Sequence, residues 1–236
     1  MAEPSKPPVA LPAWERREPP GAFSVEETAR RVGHYKWIEM RIFELMGTWT
    51  AMIPEVDIKP RLGTHCYHHA FHAELWHKRL PELREVNPER LTIAPNAEME
   101  ALVDALAVLD EPERTIEKLV GFYRVLLPHL IAVYTFHRNR SSRLGDAPTI
   151  RSLTFCLNDD MEQWREGEMI LQSLITTPEQ VQRAATRQAE LTTMLLAAGG
   201  VAGPGSIGFF DLDDGDDTDD GGGAEGDRTA DASARN

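Results

Sequence analysis

Only two cysteines, Cys66 and Cys156, occur in the 236 residues. That excludes a disulfide framework and a multi-cysteine zinc module, and it makes a reducing, cytoplasmic location the expectation. Basic residues are also scarce, 25 against 38 acidic, and nowhere dense enough to grip nucleic acid. A net charge of -13 argues equally against anionic membranes. No Gly-rich phosphate loop is present, and no nucleophile is paired with a base at a recognisable spacing, so no cofactor other than a metal is expected. The start of the chain lacks the basic-then-apolar pattern of a secretory leader. The longest apolar run, 119–136, carries Arg124, Pro128 and His129, whereas a membrane span needs roughly 20 mostly apolar residues. It reads as a buried helix of a soluble bundle.

Both ends of the chain lack the means to build a core. Residues 1–23 hold six prolines and read as a disordered arm, and 200–236 turn to Gly, Asp and Ala and read as a disordered acidic tail. Ten acidic residues and two arginines lie from Asp211 onward, so the body between is only mildly acidic. Within the tail, 206–212 sets Phe209 and Phe210 beside Asp211, the pattern of a short segment that docks on a protein partner. Asp216, Asp220 and Asp227 fall at calcium-loop positions but lack the flanking helices such a loop needs.

The body, 24–199, reads as all-α. Ser24-Val25-Glu26-Glu27 is a capping box opening a helix over about 25–51. A second helix over about 61–83 returns antiparallel after the prolines at 54 and 60. A long connection with a short helix near 97–109 leads to a third helix over about 113–139, which Pro128 should kink. A fourth helix starts at Asp146-Ala147-Pro148 and ends near 175, and a fifth, capped by Thr177 and Gln180, ends at Gly199-Gly200. One long crossover in the middle of four helices is the ferritin-like arrangement.

Five of the eight histidines crowd into the second helix between His65 and His77. At helical spacing His65, His68, His69 and His72 form one stripe, and neutral imidazoles are good transition-metal ligands. Such a stripe can also be solvated or satisfied by core neighbours. What favours metal is register: at a 1.5 Å rise, Glu39 on the first helix comes level with His72, and His129 on the third with Asp160 on the fourth.

The stretches Tyr35-Lys36-Trp37-Ile38-Glu39, Gly47-Thr48-Trp49, Leu62-Gly63-Thr64-His65 and His72-Ala73-Glu74, with Leu126-Leu127-Pro128 and Asp146-Ala147-Pro148-Thr149, resemble a bacterial group of the ferritin-like superfamily. The likeness covers roughly residues 30–175. It implies a bundle-core metal site in which Glu39 is the first carboxylate and His72 the first histidine. His69 stands where a carboxylate is expected, and Asp160 and Gln163 stand for the second Glu-x-x-His pair, with His129 the sole candidate on the third helix. Glu39, His69, His72, Asp160 and His129 are thus the candidate ligands, with Tyr35, His65, His68 and Gln163 around them to orient the imidazoles. Two carboxylates suit one divalent ion, with iron first and manganese or zinc as alternatives. Two functions follow as expectations: a non-haem iron oxidoreductase acting on a small molecule, or a ferritin-like scaffold that has lost its metal and serves interaction. A homodimer is compatible with either.

Overall fold

The computed structural model describes residues 22–83, 87–108 and 111–207, and every regular element among them is helical. Helix α1 is Val25–Met52, α2 is Lys59–Leu83 and α3 is Ala97–Ala107. Helix α4 runs unbroken through α-helical Thr115–Val120, a π-helical stretch Gly121–Leu126 and α-helical Leu127–Arg140. Helix α5 is Ala147–Leu174 and α6 is Pro178–Ala197.

The helix ends follow local chemistry, with two departures. Ser24 caps α1 by accepting from the Glu27 N–H, but the Glu27 carboxylate turns away to Arg30 and Arg31 instead of closing the box. Asp146 leaves α5 uncapped because Arg79 claims its carboxylate at 2.7 Å. Thr177 and Gln180 form a complete capping box at α6.

Helices α1 and α2, joined by the short link 53–58, lie against each other along most of their lengths, and α4 pairs with α5. Helix α2 also faces α5, while α6 covers α3 and the π stretch. The bundle closes around Ile38, Ile42, Trp49, Leu62, Trp76, Tyr123, Leu130, Tyr134 and Leu153, all buried. Full burial of such a side chain contributes roughly 1.5–3 kcal/mol. The segment 112–140 has the length and apolarity of a membrane span, but 61% of its apolar window is buried against the other helices, as in the core of a soluble bundle.

The expected disturbance at Pro128 appears one turn earlier than its ring. Proline has no N–H to give and crowds the preceding turn, and the Leu127 N–H bonds back five residues to Phe122 O. The wider turn keeps α4 continuous.

The body does not end at Gly200. Val201, Ala202 and Ser206 are buried, Arg30 donates to Ala202 O, and Arg31 donates to Gly205 O and Ser206 O. Gly199 and Gly200, with φ of 69° and 89°, turn the chain back onto the bundle. The ordered body therefore continues to Ile207, past the boundary expected at 200. Most of the Pro-rich arm, residues 208–212 of the segment 206–212 expected to dock on a partner, and the acidic positions Asp216, Asp220 and Asp227 lie outside the described residues.

Candidate metal centre

The site is built where α1, α2, α4 and α5 meet. Glu39 comes from the middle of α1, and His69 and His72, three residues apart, share the inner face of α2. All three are fully buried, and one ligand atom from each lies within 4.8 Å of the other two. His69 Nδ1 is 2.5 Å from Glu39 Oε2, and His72 Nδ1 is 3.4 Å from Glu39 Oε1. Tyr134 of α4 donates its hydroxyl to Glu39 Oε1 at 2.5 Å, and Trp76 donates its indole N–H to Tyr134. Phe122, at the π stretch, sets its ring edge-on to His69 with centroids 5.4 Å apart.

Helix α5 contributes adjacent carboxylates that treat His72 differently. Asp159, partly exposed, accepts from His72 Nε2 at 3.0 Å, which leaves the Nδ1 lone pair facing inward. Asp160 is fully buried, with Oδ1 3.8 Å from that Nδ1. A lone pair and two carboxylates turned toward one point repel each other unless a cation sits among them, and a proton or a metal ion serves. Burial opposes charge on Glu39, but His69 and His72 hold its carboxyl down at about 2. Burial raises Asp160 well above the carboxylate range. His72 is also raised: burial works against its charge, yet Cys156, Glu39 and Asp159 surround it.

Among the described residues, His69 Nε2, His72 Nδ1, both Asp160 oxygens and both Gln163 amide atoms are buried without a hydrogen-bond partner. A buried polar group left unpaired costs on the order of 1–3 kcal/mol, and the buried Glu39, His69 and His72 group among these atoms could hold a metal ion. Nitrogen and carboxylate donors of this kind fit a divalent transition ion.

The other expected residues are placed differently. His129 is not in the group: its Nε2 accepts from the Val201 N–H, and a Cβ on Gly200 would lie 2.3 Å from that nitrogen. Register gave its height along α4 but not its direction, which is toward the C-terminal segment. His65 does not orient His69 or His72. It bridges α4 and α5, with Tyr123 Oη at 2.6 Å from Nδ1 and Glu166 at 2.9 Å from Nε2, and burial lowers it to about 4. Tyr35 reaches His137 Nδ1 at 3.1 Å and only packs its ring on Tyr134. His68 is half-buried beside Tyr67, with Nδ1 unpaired. Gln163 stands beside His69.

Three residues of the site escaped the sequence reading. Asp159 adjoins Asp160, and the same level arithmetic reaches it. Tyr134 is neither a carboxylate nor a histidine, the residue types the ferritin-like pattern puts on the third helix. Cys156, fully buried, lies one turn before Asp160 among His72, Glu39 and Tyr134.

Compared with known proteins, the chain matches no family model, no curated protein and no solved structure.

Proposed function

We propose that the chain is a ferritin-like metal-binding protein that holds one divalent ion through Glu39, His69 and His72, with Asp160 beside them. In this reading it acts as a non-haem iron oxidoreductase on a small molecule. The observation that carries it is the convergence of two histidines and a carboxylate, wholly buried and ringed by unpaired polar atoms. Two histidines and one carboxylate on one face favour iron(II), with zinc and manganese next. The α1–α2 pair, the α4–α5 pair and the long link carrying α3 agree with a ferritin-like bundle.

When bound, an iron ion supplies Lewis acidity and one-electron redox chemistry. The chain's residues do the rest. Asp159 fixes the His72 ring, Tyr134 fixes the Glu39 carboxylate, and Phe122 and Trp76 exclude water.

Protein purified without a His-tag should carry about one metal per chain by elemental analysis after anaerobic Fe(II) addition. His72→Ala and Glu39→Ala should carry none. Absence of metal in all three would remove the enzyme reading.

A second reading, a scaffold without metal, has an observation of its own. Glu39 and His69 already satisfy each other at 2.5 Å, and His72 has Asp159. Gln163 in place of a histidine belongs to the same reading. The same metal analysis separates the two.

A further inference from the structure

Outside the metal centre, four side-chain atoms among the described residues are buried without a hydrogen-bond partner: His68 Nδ1, His137 Nε2, Glu117 Oε2 and Arg187 Nε. The last two belong to residues that line one cleft of about 330 Å3 between α4 and α6. Arg114, just before α4, and Glu117 in its first turn form one wall. Arg183, Arg187 and Glu190, four and three residues apart on one face of α6, form the other. The side chain of Glu117 is 9% exposed and that of Arg187 15%. Arg187 is fixed by its Nη2, which donates to Ala105 O of α3 at 2.6 Å. The ion pairs across the cleft are loose: Arg183 Nε stands 3.6 Å from Glu117 Oε1, and Arg187 Nη1 3.5 Å from Glu190 Oε2. Charge-assisted bonds close to about 2.7–2.9 Å. Arg124, further along α4, holds Glu168 at 2.8 and 3.0 Å. The cleft thus contains a buried acceptor and a buried donor that do not answer each other, among three guanidinium groups and two carboxylates.

We propose that this cleft binds a small zwitterion, a molecule that carries a carboxylate and a protonated amine as an amino acid does. The carboxylate accepts from Arg187 Nε and from Arg114 and Arg183, whose planar guanidinium forks suit carboxylate oxygens. The ammonium donates to Glu117 Oε2. A plain anion would meet the arginines but set its charge against Glu117 and Glu190, and a plain cation would do the reverse. Clefts of about 300–1,000 Å3 take small ligands, so about 330 Å3 is room for a molecule of amino-acid size. None of these five residues is a candidate ligand of the metal, so this site stands or falls apart from the metal reading.

L-Glutamate is the probe, titrated calorimetrically into the full chain beside glutarate, which has the carboxylates without the amine, and putrescine, which has amines alone. L-Glutamate should bind about 10–100-fold more tightly than either, the worth of one hydrogen bond to a charged group. Arg183→Gln, at a half-exposed position, should fold as wild type does and weaken L-glutamate by a similar factor. Glu117→Gln should bring L-glutamate down to the affinity of glutarate and leave glutarate no weaker. Glutarate or putrescine bound as tightly as L-glutamate would overturn the zwitterion, as would failure of L-glutamate to bind or binding unchanged in Arg183→Gln. Binding lost in the presence of EDTA would put L-glutamate on a metal ion and overturn the cleft. Should Glu117→Gln not fold, Arg183→Gln and the comparison of the three probes decide.

Discussion

His69 Nδ1 and Glu39 Oε2 lie 2.5 Å apart, each fully buried, so one short hydrogen bond ties α2 to α1 at the level of the site. The pair is a structural bond between two residues of the candidate site. Removing one member of a buried, hydrogen-bonded pair costs about 1–3 kcal/mol, because the other is left unanswered. Glu39→Ala should therefore destabilise the metal-free protein by about that amount in urea unfolding, as well as losing the ion. A loss under about 1 kcal/mol would mean that the pair contributes little to the metal-free fold.

Asp159 acts on the ion through His72, by accepting from its Nε2 at 3.0 Å. Because the Asp159 side chain is 32% exposed, its removal should hardly touch stability. Asp159→Ala should weaken zinc binding by about 10–100-fold in calorimetric titration, with the melting temperature nearly unchanged, and Asp159→Asn should restore part of the affinity. Equal affinity in Asp159→Ala and wild type would show that the His72 ring is held by packing alone.

Gly167 on α5 allows Tyr123 to approach. A Cβ there would lie 2.1 Å from the tyrosine ring, whose hydroxyl is hydrogen-bonded to His65. Gly167→Ala should cost about 1–3 kcal/mol by overpacking and displace Tyr123 from His65. Nuclear magnetic resonance of the His65 ring protons checks the second effect.

Acid should unfold the protein in a defined window. Burial lowers His65 and His129 to about 4 and His137 to about 3, so the folded state resists protons that the unfolded chain accepts from about 6.5 downward. At these three groups the unfolded chain carries more protons, so their contribution to stability falls as pH falls, by at most about 1.4 kcal/mol per pH unit for each, while Asp160 and His72, raised in the fold, act in the opposite direction. For His65 and His129 the loss runs from about pH 6.5 to 4 and then levels. Glu39, held at about 2, adds a loss in the same direction below about 4.5. Thermal melting of metal-free protein across pH 7 to 3 should show this, and His129→Gln should flatten the upper part of the slope. An unchanged slope would mean that His129 is as easily protonated folded as unfolded.

The helices were legible because their signals are local. Apolar spacing, Ser24, Thr177 with Gln180, and the prolines of the links place six helices to within a few residues, and the antiparallel return of α2 brings Glu39 level with His72 by rise alone. Direction around a helix is not local. His129 sits on α4 yet turns to the C-terminal segment, and Tyr134, neither a histidine nor a carboxylate, is the α4 residue hydrogen-bonded to Glu39.

What the sequence determined by itself was the all-helical class, the heights of the residues along their helices and the pairing of α1 with α2, since each depends on spacing and chain length. Tertiary structure decided the rest. The π turn before Pro128, the packing of Gly167 on Tyr123 and the anchoring of 201–207 by Arg30 and Arg31 set how each helix is rotated. That rotation selects which of many polar side chains are stripped of water together, and burial in common is what turns Glu39, His69 and His72 into a candidate site, with Asp160 beside them.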